Sequence, residues 1–262
     1  MTFSKSIQSE LLKLKYPPII WMVCFIIAIA LAIVFSAHLI DINRVVTLGA
    51  SPWIRLNGAV EATFSIFIGV PFIILLVSSA VHVEHQNNGF KQLYTLPKKR
   101  ELFLLYKLFA ILLILVLTIL MLIVGQIVSG YVLNIIFPET EFSYYSIPIF
   151  SMIKSYCYTS ISFLGVIGVQ FFLSIRFKGF LLPTSIGIIA YIIGLILSSI
   201  NNWMSTYFPY SFSAVARNRE MVDTSALNID QSAYLNIVEI RSIALLIVFI
   251  LLCLLTERNK NI

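Results

Sequence analysis

The chain has 262 residues, of which 59% are hydrophobic and only 11% charged, with a mean hydropathy of +0.95. Soluble domains carry about 25% charged residues, so composition excludes an ordinary water-soluble domain and favours an integral membrane protein. The net charge of +6 is accounted for by topology and gives no reason to invoke nucleic acid.

Residues 2–16 place Phe3, Ile7, Leu11 and Leu14 at helical spacing with Lys13 on another face. This predicts a short amphipathic helix over 1–18 in the cytoplasmic headgroup region, against anionic lipid. Pro17-Pro18 ends it, since proline lacks an amide donor and restricts its predecessor. A first span is expected at 19–40, with Trp21 at the interface. It is too long for a signal-peptide core and is read as retained. An outer segment with Asp41, Arg44, Pro52, Trp53 and Arg55 follows, then a second span at 62–81.

The polar loop 84–100 comes next, carrying Lys91, Lys98, Lys99 and Arg100. The third span, 101–133, contains Lys107 and is uncharged from Leu108 to Pro138. Residues 139–154 are polar and aromatic. Spans at 155–175 and 180–200 are separated only by Arg176-Phe177-Lys178-Gly179 and must form an antiparallel hairpin. The segment 201–239 is expected outside, with an aromatic first half, broken by Pro209, that could dip into the bilayer where protein satisfies its backbone. The last span is 240–256.

With the N-terminus in the cytoplasm, twelve of the eighteen basic residues fall inside and eight of the twelve acidic ones outside. The positive-inside bias therefore predicts six spans with both termini cytoplasmic.

Catalytic and metal chemistry find little footing. His82, Glu84 and His85 make H-V-E-H rather than H-E-x-x-H, and nothing obvious completes a coordination shell. Helix-end hydrogen bonding is the expected use of these histidines. Cys24, Cys157 and Cys253 all lie in apolar runs and read as small core residues. The predicted spans carry acidic groups only at their ends, which argues against an ion channel, a proton-coupled carrier or an intramembrane enzyme. No phosphate-binding G-x-x-x-x-G-K-[ST] loop is present, so an energised transporter of this type needs a separate ATPase.

Three stretches then carry a family resemblance: S-E-L-L-K-L-K-Y at 9–16, E-H-Q-N-N-G-F-K-Q-L-Y-T-L-P-K-K-R at 84–100, and Tyr106-Lys107. In order and placement they resemble the membrane subunit of an ABC-2-type transporter over nearly the whole chain, including its lantibiotic-immunity and drug-resistance-like branch. The resemblance implies an all-α protein with one transmembrane domain over 1–262. It has six helices, an N-terminal interfacial helix, a coupling helix between spans 2 and 3, and re-entrant outer helices between spans 5 and 6. It also implies two copies of a separate ABC ATPase holding ATP and Mg²⁺, a second permease or sister permease, and a bacterial plasma or inner membrane. No cofactor is expected in this subunit.

The coupling residues implied are Glu84, Asn88, Gly89, Phe90, Lys91, Leu93 and Tyr94. Physically, Gly89 permits a tight turn, and Phe90, Leu93 and Tyr94 offer apolar anchors within a polar rim. Glu84 is placed to pair with Arg100 or Lys107 and stiffen the loop. Gln126 and Ser129, with Gly125 and Gly130, either line a pathway or permit close helix packing. The expected function is the permease of an ATP-driven exporter for an amphipathic peptide, drug or lipid-like molecule. The alternatives are a non-transporting component acting in assembly or signalling, and an intramembrane enzyme.

Overall fold

The structure, a computed structural model, describes residues 19–40, 51–86, 100–200, 203–217 and 237–259. The expected N-terminal amphipathic helix and the coupling segment containing Asn88, Gly89, Phe90, Lys91, Leu93 and Tyr94 lie outside the described residues. Among the described residues the fold is all helix, with no strand. Six helical rods are long and apolar enough to cross a membrane.

Helix α1 (Ile19–Ile40) buries Ile19, Val23, Ile26, Ala30 and Val34, a narrow stripe at helical spacing. Trp21 and Phe25 face outward, 79% and 66% exposed, as lipid-facing side chains do.

The second rod is longer than the span expected at 62–81. It begins with α2 (Pro52–Ala62), passes through a π-helical turn (Thr63–Ile68), and continues as α3 (Gly69–Gln86). Pro52 and Arg55 read as breaks in the apolar pattern. Proline at the first helical position, however, gives up an amide that would lack a partner anyway. Trp53, Leu56 and Val60 then form a buried stripe that seals α2 against its neighbours. As a consequence Glu61, expected just outside a span, sits well inside the rod and is buried.

The π turn bonds five residues back, Gly69 N–H to Phe64 O. Pro71 cannot donate to the carbonyl four residues before it. From another helix, the Tyr191 hydroxyl lies 3.0 Å from the carbonyls of both Ile66 and Phe67 and supplies the donor.

Helix α4 (Arg100–Ile136) is a single rod of 37 residues, extending the expected 101–133. Gly125 and Gly130 serve close packing: a Cβ built on them would lie 2.4 Å from Leu31 and 2.6 Å from Trp53, respectively. Trp53 donates its indole N–H to Phe142 O at 2.9 Å and packs edge-on against Phe142 and Tyr131.

Helix α5 (Ile149–Arg176) starts six residues before the expected 155 and is the central strut. It lies along α7 (Ile237–Asn259) through Ser162, Gly165 and Gly168. Ser242 Oγ donates to Ser162 O at 3.0 Å and accepts from Gly165 N–H at 2.6 Å, the small-residue contact of membrane helices. Helix α6 (Leu181–Ser199) returns from the short turn at 177–180, closing the expected hairpin.

Between α6 and α7, residues 203–217 fold back into the bundle. Two 3₁₀ turns (Trp203–Thr206 and Pro209–Ser211) lead into a helical stretch at 212–217. The backbone of Tyr210 presses on Gly194 of α6, where a Cβ would lie 2.9 Å from Tyr210 C and O. Phe212 fills the angle between α5 and α7 near Gly165. The aromatic residues of this end therefore divide. Trp53 and Tyr210 are core, whereas Trp203, Tyr207 and Tyr144 are 69%, 60% and 84% exposed.

Candidate functional site

Two buried charge pairs stand at opposite ends of the bundle, with a polar joint between them. At the end that bears the 87–99 connection, Glu84 of α3 and Lys107 of α4 lie 3.1 Å apart with side chains 4% and 2% exposed. Lys107 also donates to Ala80 O at 2.9 Å, and its ammonium stands 5.6 Å from the Phe103 ring. A buried charge persists only when paired and hydrogen-bonded, and this pair meets both conditions. It joins the two helices from which the predicted coupling segment springs. Of the two partners that the sequence offered Glu84, the structure brings Lys107 to it.

Of the neighbouring histidines, His85 makes the expected helix-end bond and His82 does not, its buried Nδ1 having no hydrogen-bond partner among the described residues. His85 Nε2 lies 3.1 Å from Ser174 O, while the His82 ring packs 5.7 Å from that of Phe180. His38, on α1, directs Nδ1 at Val34 O, 2.6 Å away. Among the described residues no three potential metal ligands cluster.

At the opposite end, a larger polar network joins α2, α4, α5 and the segment 203–217. Glu61 accepts from Thr159 Oγ1 at 2.8 Å and faces Arg217 Nη1 at 3.4 Å. Arg217 Nη2 donates to Gly58 O at 3.0 Å. Beside it, Tyr156 donates to Gln126 Oε1 at 3.0 Å, and Gln126 Nε2 donates to Asn57 Oδ1 at 3.0 Å. Asn57 Nδ2 donates to Ser155 Oγ at 3.4 Å.

The candidate pathway residues thus differ in setting. Gln126 is fully buried and engaged on both sides of its amide. Ser129, half-buried, donates to Gln126 O in its own helix at 2.8 Å. Gln126 thus belongs to the buried polar network, whereas Ser129 satisfies its hydroxyl within its own helix.

The joint between these ends is Gln170 of α5. Its Nε2 donates to Ser78 Oγ and to Pro183 O, each at 2.8 Å, and its Oε1 accepts from Tyr210 at 3.1 Å. One amide therefore ties together α3, α5, α6 and the infolded segment. Arg241 fixes that segment from the other side, donating to Thr206 O at 2.6 Å and stacking 3.8 Å over the Tyr207 ring.

Sequence reasoning missed Glu61, Asn57, Tyr156, Thr159, Gln170, Arg217 and Arg241 as members of buried networks. Contrary to expectation, acidic groups are not confined to span ends: Glu61 is carried inside by the extension of the second rod to Pro52. One available signal was the spacing of Asn57 and Glu61, four residues apart and on one face of a helix. Arg217 gave none, because its partner lies 156 residues away.

A family model described as an ABC-2 family transporter protein matches residues 6–194. The matched residues include the Glu84–Lys107 pair and Glu61, and end before Arg217. No curated protein and no solved structure matches the chain.

Proposed function

Because this chain belongs to the ABC-2 transporter family, we propose that it is the permease subunit of an ATP-driven exporter for an amphipathic peptide, drug or lipid-like molecule. The family makes it a multi-pass membrane component that works with an ABC ATPase. In our reading two ATPases serve two permeases, either two copies of this chain or this chain and a sister. The membrane is a bacterial plasma membrane, and both termini and residues 84–100 face the cytoplasm. ATP and Mg²⁺ belong to the ATPase.

The observation that carries this reading is the Glu84–Lys107–Ala80 clamp. A transporter without its own nucleotide site needs a stiff point where force from outside enters the spans. Two helices locked by a buried ion pair, immediately flanking a basic and aromatic loop, supply one. In this reading Asn88, Gly89, Phe90, Lys91, Leu93 and Tyr94 contact the ATPase, and Glu84 and Lys107 pass the motion to α3 and α4.

The experiment is copurification of the ATPase in mild detergent, with ATP hydrolysis and vectorial transport measured in liposomes. Changing Gly89, Phe90 and Tyr94 together should release the ATPase. Glu84→Gln should retain it while uncoupling hydrolysis from transport. An intact, fully coupled complex after the triple change would move the docking site elsewhere.

A further inference from the structure

The geometry points to a second function for the Glu61 region: a receptor for the ammonium or guanidinium head of an amphipathic cation, which Arg217 occupies in this state as a tethered stand-in. The inference rests on the permease reading and names the chemical class of its substrate.

The cradle is built for such a head. Glu61 is 1% exposed, and its two oxygens have separate duties. Oε1 takes the Thr159 hydroxyl, which fixes the carboxylate, and Oε2 faces the guanidinium. Gly58 supplies a third contact through its carbonyl. Glycine in a helix interior is unfavourable, yet here a Cβ would lie 3.1 Å from Arg217 Nη2, so the missing side chain leaves room for the cation. The adjoining Asn57, Gln126 and Tyr156 are occupied with one another and bring no charge. Among the described residues, Arg217 is the only cation within ion-pair distance of Glu61.

The two partners belong to different kinds of element. Glu61 lies within a continuous rod, whereas Arg217 lies on the connection between α6 and α7, which is not itself a span. Its side chain is 13% exposed against 1% for Glu61. A carboxylate enclosed among membrane helices cannot lose its counter-charge without a large cost. Withdrawal of 203–217 is therefore linked to arrival of another cation in the cradle, and by reciprocity the cation favours withdrawal. A neutral amphipath has no such leverage. In this way the segment selects what displaces it.

The test is chemical rescue in the full-length protein reconstituted in nanodiscs, read as the thermal midpoint. Arg217→Ala leaves the carboxylate bare and should be destabilised. Millimolar guanidinium or ethylammonium chloride should raise its midpoint, sodium chloride at equal concentration should not, and Arg217→Ala/Glu61→Gln should not respond to any of them. If Arg217→Ala folds only when guanidinium is supplied during purification, the proposal is equally supported. Rescue by sodium, or none by either organic cation, overturns it.

A second arm uses Ala214→Cys, a 3% exposed position in the infolded segment, in a background lacking the native cysteines. Dodecylguanidinium should speed labelling by an impermeant maleimide about fivefold or more, with dodecyl glucoside inert and Glu61→Gln abolishing the response. An equal response to the neutral glucoside overturns the proposal. Neither arm requires ATP or the ATPase, so failure here leaves the docking experiment to decide the permease reading.

Discussion

The Glu84–Lys107 and Glu61–Arg217 pairs use similar chemistry in different mechanical settings. The first links two neighbouring rods across 23 residues of chain, with both side chains sealed. The second links a rod to an infolded segment across 156 residues, with one side chain partly open. A short, sealed connection between two rods makes a rigid joint. A long-range connection to a segment that is not a span makes a closure whose release also has to break the contacts of Tyr210 with Gln170 and of Thr206 with Arg241. The protein thus places a sealed charge pair beside the 87–99 connection and a partly open one at the opposite end.

That contrast can be broken in three ways, in decreasing order of effect. Lys107→Met strands Glu84 in the bundle and should cost about 3–5 kcal/mol, the penalty for removing one partner of a buried pair. Equilibrium unfolding in mixed micelles would measure it. Glu84→Gln/Lys107→Met should recover much of the loss, and failure to recover would mean that Lys107 matters mainly for Ala80. Glu61→Gln should cost less, about 1–3 kcal/mol, because Arg217 retains Gly58 O and partial hydration. A loss equal to that of Lys107→Met would make the two pairs mechanically equivalent. The smallest effect is that of salt. Raising ionic strength from about 0.1 to about 1 M shortens the screening length from about 10 to about 3 Å. It should increase labelling of Ala214→Cys while leaving the stability difference between wild type and Lys107→Met unchanged.

The sequence made the six rods legible because each is a long apolar run, and the hairpin because four residues cannot cross a bilayer. It did not show that the second rod starts at Pro52. Arg55 and Glu61 look like boundary charges until Trp53, Leu56 and Val60 are seen to form a buried stripe beneath them. Glu84 and Lys107 were readable because local order along the chain carries their pairing. The Glu61 cradle was not, since its members come from residues 57–61, 126, 155–159 and 217. Only tertiary packing assembles them. The infolding of 203–217 was half visible. Its aromatic residues and Pro209 marked it, but the Gly194 notch and the Gln170 amide that receive Tyr210 look like ordinary positions in a span.

The wide turn at Thr63–Ile68 sets the angular phase between the two halves of its rod. Each helical residue advances the bearing by about 100°, so deleting one residue from that turn would swing Asn57, Gly58 and Glu61 a quarter-circle or more away from Thr159, with Glu84 left facing Lys107. A point substitution there would leave both bearings unchanged. An engineered disulfide between positions 61 and 159 would distinguish the two, closing in the substituted chain and failing in the shortened one. The azimuth of the cation cradle is thus set by how many residues that turn holds, separately from the side chains that form it.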